Sequence, residues 1–302
     1  MGRGKGRDTK TQVEENLPVV PQVAKSTSGP EDALYYLGRS DVETERLLWQ
    51  AKQRERATFR ALDDAGIEAG MSVLDVGCGA GDVALIAARV VGPTGRVVGV
   101  DSNAALLETA RERATAAGLS EIVTFIAGDF RTATLPGPFD AAVGRYVLMY
   151  QGDPAAAVRA TAEHVHSGGI ILFQEYDFTY AKEPDPAPPL YKKMREWTGK
   201  MRQRAGLHSD MGRRLPRVFQ DAGLPAPTAT IETSLTSGPD WPGYQGIMMA
   251  VRSALPQMIK YGITTAEEVD IDTFADRLRD QSEAIGAVLG LAATATAWVR
   301  KP

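Results

Sequence analysis

Apolar and polar positions divide the chain into stretches of different texture. Residues 1–29 are rich in Gly, Lys, Thr, Pro and Ser with little periodicity, which predicts a flexible tail. Over 41–65, Leu47, Leu48, Ala51, Phe59 and Leu62 recur at helical spacing among charges. Ser40 followed by Glu43 has the form of a capping box, so 30–66 reads as an N-terminal helical cap segment. From 67 to 178 the texture changes. β-Branched and apolar runs predict strands over 72–76, 96–100, 122–126, 139–144 and 168–173, and helical patterns fall between them at 83–91, 104–117 and 154–165. Strands alternating with helices imply βαβ units, a parallel sheet and right-handed crossovers. After a Pro-rich linker over 180–190, helices are predicted at 191–205, 213–222, 244–260 and 265–285, and strands at 228–235 and 292–299. The expectation is an α/β fold: seven strands, mostly parallel, helices on both faces, and a helical lid. Residues 67–178 form its core, and 179–302 add lid helices and the last two strands.

The chemistry concentrates in one turn, Val73-Leu-Asp-Val-Gly-Cys-Gly-Ala-Gly81. Glycines at 77, 79 and 81 let the backbone turn sharply from strand to helix and approach a ligand closely. The helix start that follows offers free N–H groups. A dinucleotide fingerprint calls for Gly or Ala at position 82, where this chain has Asp82. Asp75, two residues before the first glycine, suits an ammonium-bearing ligand better than a pyrophosphate. Asp101 ends the second strand, where a carboxylate accepts ribose hydroxyls. Asp129, beside Phe130, follows the third, where it can accept from an adenine amino group. Any one of these acids reads equally well as an ordinary turn residue. Three at the carboxyl ends of successive parallel strands line the edge where open α/β sheets bind ligands.

Over about residues 71–173 these motifs make the chain resemble class I S-adenosylmethionine-dependent methyltransferases, which have a Rossmann-like fold. The resemblance implies S-adenosyl-L-methionine as cofactor and S-adenosyl-L-homocysteine as product. It implies that Asp75 with Gly77, Gly79 and Gly81 holds the methionine part, that Asp101 with Ser102 beside it takes the ribose, and that Asp129 with Phe130 takes the adenine. The segment from Phe139 to Leu148 looks like the family's fourth motif, which implies that Arg145 and Tyr146 line the sulfonium and the substrate. Leu37-Gly-Arg-Ser40, the segment from Glu45 to Ala51, and Ala222-Gly-Leu-Pro225 look like a bacterial small-molecule subgroup.

In such chemistry the cofactor carries the reactive group, and the protein aligns the reactants and excludes water. A carboxylate or phenolate acceptor needs no base, whereas an alcohol, amine or carbon acceptor can require one. The candidate catalytic groups are His208, in a loop able to close over the site, and Glu175, at the end of the fifth strand. His164 and His166 read as capping or solvated residues. Tyr146, Tyr176, Trp241 and Tyr244 are candidates for an apolar acceptor pocket, with Arg213 as an anion clamp.

Composition narrows this further. The 302 residues hold 34 Lys and Arg against 38 Asp and Glu, a net charge of −4, which argues against a nucleic-acid binder. One Cys excludes an internal disulfide, three His leave little room for a zinc site, and no metal motif is present. Locally the charge is uneven. Residues 190–217 carry nine basic side chains and only Glu196 and Asp210 as acids, a net +7 where an acceptor lid is expected. This is either a solvated helical face or an attractor of anionic acceptors. The N-terminus has no apolar signal region, and the apolar run over 285–299 is shorter than the ~20 residues a membrane span needs. The expectation is a cytoplasmic enzyme, with no membrane partner, that methylates a small molecule or peptide in specialised metabolism, with carboxylate O-methylation one option. The oligomeric state is open, a homodimer included. The alternatives are an RNA methyltransferase and a non-catalytic regulatory or scaffold protein that binds the cofactor.

Overall fold

A computed structural model describes Leu37 and residues 41–180, 183–236 and 238–302. The predicted tail over 1–29 and the cap residue Ser40 lie outside the described residues. Helix α1 (Asp41–Ala65) leads into β1 (Ser72–Val76), α2 (Asp82–Val91), β2 (Arg96–Asp101), α3 (Ala104–Ala116), β3 (Val123–Ala127), β4 (Phe139–Arg145), α4 (Pro154–Glu163) and β5 (Val165–Asp177). There follow α5 (Pro189–Arg204), α6 (Met211–Asp221), β6 (Thr228–Glu232), β7 (Leu235–Thr236), α7 (Gly243–Lys260), α8 (Ala266–Val269), α9 (Phe274–Ala284), β8 (Leu289–Gly290) and β9 (Ala293–Arg300).

Seven strands form one sheet in the order β3-β2-β1-β4-β5-β9-β6. Strands β1 to β5 pair in parallel, and β9 runs antiparallel to both β5 and β6. Successive side chains of a strand point to opposite faces, and the core divides accordingly. Val73, Val97, Ala141, Ile170 and Leu172 pack with α2 and α3 on one face. Leu74, Val98, Ala142, Ile171 and Phe173 pack with α4, α6 and the later helices on the other. The continuous apolar run over 170–173 in β5 is buried on both sides, as a covered sheet requires. From β1 the chain moves out to β2 and β3, then returns to build β4 and β5 on the other side. Open sheets bind ligands outside the strand ends at such a reversal.

Three predicted elements differ. The helix over 265–285 is two helices, because Asp270 adopts left-handed φ 44° and ψ 67° after α8. The strand over 228–235 ends at Glu232, and Leu235–Thr236 instead pairs with Leu289–Gly290. The fifth strand, predicted over 168–173, runs from Val165 to Asp177, because β9 pairs with it from Ile170 to Asp177. That partner lies more than a hundred residues further along, beyond any local pattern. In α1, Leu48 and Phe59 face solvent despite their helical spacing, Phe59 being 51% exposed.

At the opposite edge of the sheet, Asp140 fastens three strand starts. It accepts the backbone N–H and hydroxyl of Ser72 at 2.7 and 2.6 Å and contacts His166 Nε2 at 2.9 Å. The Ser72 donors hold its carboxyl at about 2, and His166 adds to the effect. A carboxyl with a lowered folded pKa contributes stability above its unfolded value, and that contribution is lost as the pH falls toward the folded one. Asp140→Asn should therefore lower the urea midpoint near pH 7, with the gap to wild type closing below about pH 4. An equal gap at pH 3 and pH 7 would show that the carboxylate charge is not what stabilises this edge.

Candidate active site

The glycine turn after β1 forms the floor of a cavity of about 560 Å³, within the usual size range for small-ligand sites. Gly77 has φ +65°, and a Cβ there would stand 2.6 Å from a methyl of Val147. Gly79 has φ +52° and faces open space, which leaves room for a ligand to lie against its backbone. Gly81 caps α2 and is pressed against Ala110 and Phe125, so its contribution is packing; it does not line the cavity. The turn is tied to the next strand by Asp101, which accepts Gly79 N–H at 2.8 Å with one oxygen and Asn103 N–H at 2.7 Å with the other. Ser102 lines the same edge.

Asp75 is 1% exposed, and its Oδ2 has no hydrogen-bond partner. Burial pushes its carboxyl up to about 8, against the pull of the Arg145 guanidinium. A buried, unmatched carboxylate oxygen costs free energy unless a donor arrives. Beside an open glycine cradle it is suited to a ligand ammonium. Arg145 itself donates to Thr58 Oγ1 at 2.9 Å and Asp82 Oδ2 at 3.2 Å. Phe130 is buried in the cavity wall. Asp129 also reaches the cavity, but Arg131 grips its carboxylate with Nε at 2.9 Å and Nη2 at 2.6 Å and holds its pKa below the usual range.

Tyr146 and Tyr176 both line the cavity, with stacked rings 3.8 Å apart. Tyr146 has an unusual φ of 60°, and its hydroxyl meets Thr294 Oγ1 at 3.0 Å.

Several predicted site residues sit elsewhere. Glu175 is fully buried and accepts three backbone N–H groups, from Val147 (2.8 Å), Leu148 (2.6 Å) and Met149 (3.3 Å). It braces the wall and faces no acceptor. Burial pushes its carboxyl up to about 8, with the three donors working against that rise. His208 lies outside the cavity lining. Its Nδ1 takes a hydrogen bond from Arg214 at 2.8 Å and its Nε2 meets the Gln151 carbonyl at 3.0 Å, so both nitrogens are engaged. Arg213 is exposed, with its guanidinium near Asp210 and its backbone N–H on Asp177. Trp241 and Tyr244 pack edge to face on each other, away from the cavity.

The lining also includes residues that apolar periodicity does not reveal. Helix α1 turns Glu43, Arg46, Gln50 and Arg54 to the cavity, a polar stripe at spacings of three and four. Helix α5 adds Arg195 and Arg202, so the basic lid segment reaches the cavity from its first helix and not from Arg213. Phe178 follows Tyr176 along the wall. The polar repeat in α1, at spacings of three and four, is the signal in the sequence that could have found them.

Glu175→Ala should destabilise the fold by about 2–4 kcal/mol, since three buried N–H groups would lose their acceptor. Urea unfolding measures this. Unchanged stability with lost turnover would return Glu175 to a catalytic role.

Residues 67–223 match a family described as a methyltransferase domain. An uncharacterized 37.1 kDa protein in a transposon of Streptomyces fradiae is 31% identical over 175 residues, covering 58% of this chain and 49% of that protein. A ubiquinone/menaquinone biosynthesis C-methyltransferase of Hahella chejuensis is 31% identical over 116 residues, covering 38% of this chain and 47% of its own. The chain thus spans about half the length of the curated relatives it matches. Among solved structures, the YcgJ protein of Bacillus subtilis aligns with a TM-score of 0.51 at 18% identity, covering 82% of this chain and 99% of that one. A phosphoethanolamine N-methyltransferase of Haemonchus contortus, solved with S-adenosylhomocysteine, aligns with a TM-score of 0.50 at 17% identity, covering 82% and 52%. At these identities the likeness is one of fold.

Proposed function

Because the chain belongs to the family of class I S-adenosylmethionine-dependent methyltransferases, matched over residues 67–223, we propose that it moves a methyl group from S-adenosylmethionine to a small-molecule or peptide acceptor. The observation that carries this reading is the buried, partnerless Asp75 Oδ2 beside the open cradle at Gly79. The donor set fits the cofactor. Asp75 would accept from its ammonium, and the backbone at Gly77 and Gly79 would take its methionine part. Asp101 and Ser102 would hold its ribose, and Phe130 with Asp129 its adenine. When bound, the cofactor supplies an electrophilic methyl on a sulfonium.

The chain's own work is alignment and exclusion of water. Arg145, held by Asp82 and Thr58, keeps a fixed positive charge next to Asp75. Tyr146 and Tyr176 form the boundary between the glycine turn and the helical side of the cavity. Helices α1, α5 and α7 enclose that side, a shape that favours a small acceptor or a chain end over a folded RNA. None of the three histidines lines the cavity. Carboxylate O-methylation is one form the reaction can take, since a carboxylate nucleophile needs no base. Among the described residues no helix is long and apolar enough to cross a membrane.

Calorimetry tests the reading. Wild type should bind S-adenosylmethionine, and Asp101→Ala should weaken that binding by about tenfold or more, the loss of a charge-assisted hydrogen-bond pair. Absence of binding to wild type would overturn the assignment. The affinity should also depend on pH. Below about 8 the Asp75 carboxyl is protonated in the free protein, and an ammonium partner favours the carboxylate, so affinity should rise from pH 6 to pH 8. Asp75→Asn should flatten that rise; a rise that persists in the variant would place the titrating group elsewhere.

A further inference from the structure

Outside the cofactor cradle, the cavity wall carries an unusual alternation of rings and guanidinium groups. From the glycine turn outward, Arg145 lies 5.7 Å from the Tyr146 ring centre, and Tyr146 stacks on Tyr176 at 3.8 Å. Arg54 lies 5.5 Å over Tyr176, Phe178 follows at 5.2 Å, and Arg202 lies 4.1 Å over Phe178. Arg195 donates to the Phe178 carbonyl at 3.3 Å. Arg54 is 7% exposed; it donates to the Ala292 carbonyl at 3.1 Å, lies over the Tyr176 ring with a hydrogen bond to that side chain, and feels the charge of Glu232 from beyond contact distance. Among the described residues, no carboxylate lies within 4 Å of Arg54 or Arg195, although ion pairs hold many of the chain's surface arginines.

Burying a guanidinium with no carboxylate in contact is costly. A cation resting over a ring keeps its in-plane N–H groups available, and those groups match the two oxygens of a carboxylate. The ring ladder, with Tyr176 and Phe178 tilted by 36° to each other, gives the cavity an aromatic lining against which an aromatic ligand can pack. Resting on the methyl-transfer reading, we infer that the acceptor is a planar aromatic molecule bearing a carboxylate-type anion. Its ring lies along Tyr176 and Phe178. Arg54 and Arg195 hold the anion toward the α5 side, and the methyl-accepting atom points toward Tyr146 and the glycine turn. The anion is thus a recognition handle, and Arg54 and Arg195 determine specificity.

The test compares three planar carboxylates (benzoate, cinnamate and 2-naphthoate) with their neutral amides. Binding is measured by calorimetry on the whole protein, with and without saturating S-adenosylhomocysteine. The carboxylates should bind about tenfold or more tighter than the amides, and Arg54→Gln and Arg195→Gln should each cut that preference to about twofold. The melting temperature and the affinity for S-adenosylhomocysteine should stay near wild type in Arg195→Gln, whose side chain is only half-buried. If glutamine at the more buried position 54 unfolds the protein, Arg195→Gln decides alone. Equal binding of acid and amide, no binding of any probe, or a preference that survives in a folded Arg195→Gln variant would overturn the inference. Failure of S-adenosylhomocysteine to bind would count against the methyl-transfer reading instead, because the acid–amide comparison is also read in the ligand-free protein.

Discussion

Three backbone N–H groups converging on the buried carboxylate of Glu175 hold the wall of this site in place. The chain leaves β4 in an unfavourable conformation, with Tyr146 at φ 60°. For a bulky residue that geometry persists only where its surroundings over-determine it. Here they do. Tyr146 N–H donates to the Gln174 carbonyl, the next three N–H groups bind Glu175, and the ring stacks on Tyr176. Gln151, just beyond, receives His208, so the same segment anchors the loop between α5 and α6. One acid thus connects the glycine turn, the aromatic wall and the lid. Its protonation is a contest between burial, which pushes its carboxyl up to about 8, and the donors that favour the charged form.

Charge is distributed unevenly around the cavity. Near the glycine turn, acids stand close to the ends of parallel strands, Asp101 matched by backbone donors and Asp75 with an unpartnered oxygen, with Arg145 held beside them by Asp82. On the helical side, Arg54 and Arg202 rest over rings and Arg195 donates to a carbonyl, while Glu43 lines the same cavity in the grip of Arg46. The local positive charge of the lid segment therefore has two destinations. Arg195 and Arg202 turn inward from α5, while Arg213 and Arg217 turn to solvent and to Asp210 and Asp221.

The glycine turn and the acids at 75, 101 and 129 were legible along the chain because each is local. A turn needs particular backbone angles at particular positions, and a strand end exposes whatever residue follows it. The strand and helix pattern from 72 to 165 was legible for the same reason, with boundaries moved by a few residues. Glu175 and His208 misled because sequence shows a polar side chain but not its partners. Each spends its polar atoms on neighbours close in space: Glu175 on the backbone at 147–149, His208 on Gln151 and Arg214. Phe59 and Leu48 misled in the opposite sense, being apolar at helical spacing yet turned outward, Phe59 next to the buried Ala61 and Leu62.

What the amino-acid order alone determined is the α/β class, the sheet of seven strands and the glycine turn with its neighbouring acids. These follow from periodicity and local turn geometry acting over a few residues. The kind of cofactor came from the resemblance those motifs carry and not from the pattern itself. What only the tertiary structure decided is the wall of rings and guanidinium groups. Arg54, Tyr146, Tyr176 and Arg195 come from elements up to 141 positions apart, and their chemistry exists only once packing brings ring faces and guanidinium groups to the same water-poor surface. The same holds for β9, which extends β5 to Asp177 and so carries Tyr176 into the cavity. Long-range pairing leaves no periodic trace in the chain, because the free energy that selects it is released only when both partners are already in place.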